Sequence, residues 1–511
     1  MDPLDGRYTQ NTAYQPQHDG TFWILSDADG WGAALDDPVY HIWSACDGRP
    51  TARVINALTE EANLSPAFIE STLKVLARAG MLNPSQPLDP FARPRPVEIS
   101  ELPSLPLVSI IILASRQARV HLETCLPSVL AQTYPNLEII LVDNQTTDDS
   151  AAFTEINFPS VKVLPTPDPL GFGGANNYAM KRAQGKFFFL VNEDTEMEPD
   201  CIAECVRKML QSENVAIVAP KMKLFYMRPF INSMGNSIHP NGHSHDNFIG
   251  YLDAGQFDDT GQVFAVCFGA AMLRRSVVEQ IGYLDEKYFV YYDDVDCSLR
   301  ARLCGYDLVA APQAVVYHKF NATVNTMAST FKLDLIVRNR LRFIWKNLDF
   351  RRAREFARIY QEQDRRNVAQ AKEEGMEEVL ETYRTSKRAW RRSWPELALA
   401  RWRTRGLRTS SFSDDAMFAL TDGLPRPAMY GRYPVIFAPA IRGHYMNVEA
   451  FRPDSPPAPE DLAVNFTAAA DANLSIGQKV RRTWREKGAF GLVRETGQYL
   501  CWRWFTSNPG I

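Results

Sequence analysis

The sequence predicts an α/β protein. A mostly parallel, mixed sheet is flanked by helices and sits between a small N-terminal unit and a helical C-terminal region. Three observations predict this. Short apolar runs alternate with helical stretches from Val108 to about Phe320. Seven prolines between Pro84 and Pro106 separate that block from what precedes it. Helical patterning takes over after Phe320.

The first 20 residues are polar and read as an extended, loosely attached terminus. Residues 21–83 read as one small unit. Phe22–Leu25 is a short strand, and Pro38–Ala45, Thr51–Ala62 and Pro66–Ala79 are helices. Gly80 follows the last helix, where a left-handed residue commonly ends one. Residues 84–106 are a stiff proline-rich linker.

From residue 107 to 325 the runs VSIIIL, LEIILV, VKVL, KFFFLV and VAIVAP read as strands buried on both faces. Helices follow them, ending near Gln132, Ala183 and Gln211. Ligands bind such sheets at the carboxyl ends of the strands. The candidate residues should therefore follow the apolar runs, and they do.

Residues 326–511 read as helical. Between 384 and 408, nine Lys and Arg stand against Glu396 alone, with Trp390, Trp394 and Trp402 among them. Lys479–Phe505 repeats the theme with Trp484, Phe490, Trp502, Trp504 and Phe505.

The bulk composition excludes several classes. A formal net charge of -4 gives no global basic field for nucleic acid. The 8 cysteines include no CxxC pair, which argues against a structural zinc site and fits a reducing cytosol. We expect no signal peptide and no transmembrane span. The protein is expected in the cytoplasm, at most touching the inner face of the cell membrane. The basic Trp-rich helices either lie on an anionic bilayer or pack their Trp residues inward.

The chemistry-bearing residues cluster at strand ends. Asp143 and Asn144 end the second run, in VDNQTTDD. A carboxylate there either accepts a base N–H or caps the next turn. Gly171, Gly173 and Gly174 in LGFGGANN allow close backbone approach, with Asn176 and Asn177 at the helix start that follows. The loop lacks the GKS or GKT ending of a Walker loop. Asn192, Glu193 and Asp194 end the fourth run. Hard divalent cations take carboxylate oxygen, so Asp194 is the candidate ligand; an N-cap cluster is the alternative. Asp293, Asp294 and Asp296 precede an amphipathic helix containing Arg300 and Arg302. Clustered carboxylates raise one another's pKa, which suits a base, although acids are also common at helix N-termini. His318 follows the run VVY. His239, His243 and His245 share one loop and read as an acceptor-side or exposed segment more readily than a metal site.

Between about Val108 and Phe320, less than half the chain, the sequence resembles family-2 glycosyltransferases with the two-lobed nucleotide-sugar-binding fold (GT-A). The resemblance rests on VSIIILASRQ, VDNQTTDD, LGFGGANN, NED and YYDDVD in that order. It implies transfer of a sugar, with rhamnose the commonest, from a nucleoside diphosphate sugar to a glycan or lipid-linked acceptor, with inversion. It implies Mg²⁺ or Mn²⁺ held by Asp194 and His318. Asp294 would be the catalytic base, supported by Asp293 or Asp296. Asp143, Asn144, Gly171, Gly174, Asn176, Asn177, Asn192 and Glu193 would bind the donor, and Phe268, Gly269 and Ala270 would line the acceptor side. Relatives often carry an acid where Asn192 stands, which leaves direct two-point metal coordination open.

Residues 21–83 resemble a PqqD-like winged-helix domain at Trp43, Cys46, Asp47, Gly48 and Thr51. That resemblance implies a peptide partner bound by strand addition. Three rivals follow: a peptide-modifying transferase, a non-catalytic nucleotide-sugar-binding assembly protein, and a nucleotidyltransferase. The last ranks lowest, because the first strand exits through LASRQAR, without glycine.

Overall fold

A computed structural model describes residues 6–20, 22–28, 32–86, 97–319, 329–409, 415, 418–420 and 436–437. The Trp-rich segment 479–505 lies outside the described residues.

The central sheet has nine strands: β1 (Val108–Ser115), β2 (Leu137–Asn144), β3 (Lys162–Pro165), β4 (Phe187–Asn192), β5 (Thr195–Met197), β6 (Val215–Leu224), β7 (Met227–Ser233), β8 (Ala270–Arg274) and β9 (Asp307–His318). Eight follow the order β5-β9-β6-β8-β4-β1-β2-β3, and β7 pairs with β6. The strands β4, β1, β2 and β3 are mutually parallel. The short strand β8 runs antiparallel to both of its neighbours and makes the sheet mixed.

Helices α1 (Arg119–Leu130), α2 (Ser150–Asn157), α3 (Phe172–Met180), α4 (Cys201–Met209), α5 (Arg275–Ile281) and α6 (Asp293–Leu303) accompany the sheet. The continuous apolar runs follow from this double cover. Along β1, Val108, Ile110 and Ile112 enter one core while Ile111 and Leu113 enter the other. Phe187 and Phe189 alternate with Phe188 and Leu190 in the same way along β4.

The chain winds outward through β1, β2 and β3, then returns to place β4 on the other side of β1. This reversal opens a crevice at the carboxyl ends of β1 and β4. Register brings the strand ends level there. Asn192 lies beside Leu113, Asp143 beside Ala114, and Thr195 opposite His318.

The chain from Arg7 is not loose. Arg7–Gln10 pairs with Asp47–Pro50 and Leu82–Pro84, and Gln15–His18 pairs with Trp23–Ser26. Three helices complete the N-terminal unit: Asp37–Ser44, Thr51–Ala62 and Pro66–Arg78. Asp36 and Ser65 cap the first and third, and Gly80 (φ 74°) follows the third. Gly32–Leu35, one edge of its second sheet, is paired with the chain's own Ile436–Phe437. That edge is therefore not open to an added peptide strand. The linker does not stand off from the sheet domain at its far end, where the Val97 N–H donates to Glu204 Oε1 at 2.9 Å.

Beyond β9 come α7 (Ser329–Asn347), α8 (Phe350–Glu373), α9 (Glu377–Arg392) and α10 (Trp394–Gly406). Leu333, Ile336 and Val337 of α7 share a core with Tyr288, Tyr292, Val295 and Leu299 around α6.

Candidate active site

Asp194 follows β4 and is almost wholly buried. Its Oδ1 lies 3.3 Å from His318 Nε2 and has no well-aligned hydrogen bond. This closeness follows from the pairing of β5 with the end of β9. His318 Nδ1 is 2.7 Å from Asn232 Oδ1. An amide oxygen can only accept, so it takes the Nδ1 proton and leaves Nε2 as the nitrogen facing Asp194. Burial resists charging either group. The attraction between them outweighs it, moving Asp194 below and His318 above their ordinary ranges. Lys319 Nζ sits beside this pair, 3.3 Å from His121 Nδ1.

Asp293 and Asp294 open α6. The Asp294 carboxylate accepts from the Val295 N–H at 2.7 Å. Burial, and then the charge of Asp246, raise it to about 7 against the hydrogen bonds from Val295 and Phe268. Asp293 is fully buried, and its Oδ2 has no partner. Burial, reinforced by Asp294, pushes its carboxyl well above the usual range. Burial and the neighbouring Asp294 thus both favour the protonated form of Asp293.

Asp246 was not legible as a site residue. It follows the histidines of the loop and closes a hairpin in which Asn236–Ile238 pairs with Ser244–Asp246. Burial raises its carboxyl to about 6, and it interacts with His318, Asp294 and Cys267. It thus joins the metal-type pair to the α6 acids. Phe268 and Gly269 complete the junction, because a Cβ on Gly269 would lie 3.7 Å from His318 Cε1. The histidine loop itself stacks, with His239 and His245 ring centroids 4.3 Å apart. Among the described residues, no group of three or more His, Cys, Asp or Glu is arranged to hold a metal.

The remaining candidates divide. Asp143 Oδ1 accepts from Thr146 N at 2.9 Å and Oγ1 at 2.7 Å, so the turn-capping role is real, and Oδ2 is the oxygen left for a ligand. Asn192 ends β4 partly exposed, with its backbone N–H on Gly269 O, and Glu193 beside it is buried.

Five of the residues expected to contact the donor are engaged within the protein itself. Asn144 donates to Leu170 O at 2.8 Å and accepts from Leu170 N at 2.9 Å. Asn176 donates to Phe172 O one turn back, and Asn177 holds Leu284 N, Leu284 O and Glu286. A Cβ on Gly171 would lie 2.5 Å from Phe289 O, and one on Gly174 would lie 3.3 Å from Leu170 Cβ. The close approach at Gly171 is to the Phe289 backbone, and that at Gly174 is to the Leu170 side chain.

Asp296 also departs from the supporting-acid reading. It is an ion-pair hub that accepts from Arg300 at 2.9 Å, Lys346 at 2.7 Å and Asn347 at 2.9 Å. Burial opposes its charge. Lys346 and Arg300 prevail and hold the carboxyl below the ordinary range.

Residues 109–282 match the family described as Glycosyl transferase family 2. The chain carries a family 2 glycosyltransferase domain. Asp143 and Asp194 lie within the matched segment, and Asp294 and His318 lie beyond it. The protein y4gI of Sinorhizobium fredii is 32% identical over 234 residues, 43% of this chain and 25% of that protein. O-antigen biosynthesis protein RfbC of Myxococcus xanthus is 28% identical over 228 residues, 43% of this chain and 18% of the relative. An N-acetylglucosaminyl-diphospho-decaprenol L-rhamnosyltransferase of Mycobacterium tuberculosis is 25% identical over 240 residues, 41% of this chain and 75% of its own length. The chain therefore spans a quarter or less of the first two relatives.

Proposed function

We propose that this protein transfers a sugar from a nucleoside diphosphate donor to an acceptor hydroxyl in glycan synthesis, with inversion. The observation that carries the reading is Asp294. It opens α6 in the cleft with its carboxyl near 7, linked through Asp246 to the Asp194–His318 pair. A general base works best with a pKa near the operating pH. In this reading Asp294 takes the proton of the acceptor hydroxyl as its oxygen bonds to the anomeric carbon. The bond to the diphosphate breaks on the opposite face, so a single displacement inverts the centre. Asp293, buried directly beside Asp294, stands as the supporting acid.

Asp143 Oδ2 accepts a base N–H of the donor, with Asn192 and Glu193 alongside. The buried Asp194 Oδ1 without an aligned partner, facing an imidazole nitrogen, fits Mg²⁺ or Mn²⁺. Two protein ligands are enough, because such ions complete their shells with phosphate oxygens and water. The bound ion would neutralise charge developing on the departing diphosphate. Asn192 contributes an amide, so Asp194 and His318 carry the coordination. Lys319 adds a cation at the same strand end.

The relative named as a rhamnosyltransferase supports rhamnose as the donor sugar, and its diphospho-decaprenol substrate supports a lipid-linked acceptor. A surface of the C-terminal region favours the membrane reading. Trp402 is 74% exposed, with Leu399 and Trp394 also exposed along α10. The one acid of the segment, Glu396, is paired with Arg342, leaving Arg391, Arg392 and Arg403 on that surface. Trp beside uncompensated Arg suits the interface of an anionic bilayer. Among the described residues, no helix is long and apolar enough to cross a membrane. Peripheral docking at the inner face of the cell membrane is the contact we propose.

The first experiment is calorimetric binding of a panel of nucleoside diphosphate sugars, with and without Mn²⁺. One donor should bind tightly and metal-dependently, and Asp194→Ala should lose the metal dependence. Absence of binding by every donor would turn the reading to a non-catalytic assembly protein. Metal-independent binding, unchanged in the variant, would remove Asp194 as the ligand.

A further inference from the structure

The segment that delivers Asp294 is strained. Phe289 (φ 66°, ψ -60°), Tyr291 (φ 70°) and Tyr292 (φ 70°, ψ -7°) all take positive φ within four residues, and Tyr292 directly precedes Asp293. Aromatic residues rarely adopt this region, and such a turn persists only when its surroundings over-determine it. Here the restraint comes from two sides. On the α3 side, Gly171 leaves room for Phe289, and the Phe172 N–H donates to Phe289 O at 2.5 Å. On the other side stands α7. Asn339 Nδ2 donates to Tyr288 O at 2.8 Å, Val290 O at 2.8 Å and Tyr291 O at 3.0 Å. Its neighbour Arg340 reaches the Tyr292 hydroxyl at 3.2 Å, which in turn donates to Gly242 O at 2.9 Å.

We propose that Asn339 is a positioning residue for the catalytic base: its amide gathers three carbonyls of the turn and so sets where α6 begins and where Asp294 sits. This rests on the reading of Asp294 as the base. The inference assigns the C-terminal region, which lies outside the family-matched residues, a part in the chemistry of the site.

The physical argument is one of compensation. Positive φ at Phe289, Tyr291 and Tyr292 orients the carbonyls of the preceding residues, Tyr288, Val290 and Tyr291, which converge on one point. Asn339 is 2% exposed, and its NH₂ group supplies the donors at that point. Ala in its place would leave the three carbonyls without that donor. The turn would then relax toward negative φ and rotate the first turn of α6. A misplacement of about 1 Å at a reacting group costs about 100-fold in rate. The donor side of the cleft is built on the ends of β2 and β4, on elements other than this turn, and should be spared.

The test uses the full chain and four variants. Asn339→Ala should lower kcat about 10–100-fold, leave the donor KM and calorimetric donor affinity unchanged, and move the acid limb of the kcat–pH profile. Gly171→Ala presses on the same turn from the opposite side and should reproduce that kinetic pattern; it decides the matter if Asn339→Ala does not fold. Arg401→Ala serves as the structural control. Arg401 bonds Trp345 O at 2.6 Å and Leu348 O at 2.8 Å at the far end of α7, so its loss should lower the melting temperature without moving kcat or the pH profile. If Asn339→Ala behaves like Arg401→Ala, or loses donor binding together with kcat, the inference is overturned. Asp294→Asn separates the two levels. If it is inactive while Asn339→Ala is normal, only the positioning role falls; if it turns over normally, the base assignment itself falls.

Discussion

Replacing Asp294 by Asn should make the protein inactive and, above neutral pH, more stable. The carboxyl titrates at about 7 in the folded chain instead of its ordinary 3.8, chiefly because it is buried and then because of Asp246. Between those values the folded protein holds a proton that the unfolded chain has released. The stabilisation from that proton is complete below 3.8 and is lost as the pH rises through 7. At about 1.4 kcal/mol per pH unit, the whole interval amounts to an upper bound of about 4 kcal/mol. Asp294 is partly exposed at the cleft, so about 2 kcal/mol is the better figure. Asn carries no charge to bury, so the variant escapes this loss. Calorimetric melting of both proteins from pH 4 to 8 should show a difference that is small at pH 4 and widens in favour of Asp294→Asn. Wild-type kcat should rise about tenfold between pH 6 and 8, following ionisation of the base, and the variant should lose about 100- to 10,000-fold. A flat wild-type profile over that range, or a variant with normal turnover, would refute the argument. So would a melting difference that shrinks as the pH rises.

Two further outcomes follow from the same structure. Asp296→Ala should cost about 3–5 kcal/mol, because it strips Arg300 and Lys346 of a shared buried partner; loss of the cooperative melting transition by about that amount checks it, and a change under 1 kcal/mol would mean that α6 and α7 are held together otherwise. Vesicle co-sedimentation should show the full chain binding phosphatidylglycerol but not phosphatidylcholine, with binding reduced by salt and by Trp402→Glu; equal binding of the variant, or none by either protein, would dismiss α10 as a membrane surface.

Much of the sheet was readable from the sequence, and so were the candidate residues at its strand ends. The runs from VSIIIL to KFFFLV betray strands because a sheet covered on both faces favours apolar residues along its inner strands, and Phe187, Phe188 and Phe189 all prove buried. Asp143, Asp194, Asp294 and His318 stood out as candidates because loops at strand ends are the segments free to carry acids and imidazole in such a fold. The helices of residues 21–83 were legible from apolar periodicity, with Gly80 marking the end of the third to within a residue. Asn144, Asn176 and Asn177 show where that reasoning stops. An amide donates and accepts equally well toward a ligand or toward the backbone, and only the fold shows that these three face Leu170, Phe172 and Leu284.

The sequence by itself thus determined the layered class, the order of the strands along the chain and the acids at their ends, because these follow from local periodicity and from which residues solvent-facing loops tolerate. Tertiary structure alone decided which acid is raised toward neutrality and which is held below the ordinary range. Asp294 and Asp296 are two residues apart and chemically identical. One meets Asp246 from a distant hairpin and is pushed up to about 7, while the other meets Lys346 from α7 and is held ionised. A carboxyl's pKa is set by the charges and water around it, and here those neighbours come from chain segments about 50 residues away on either side.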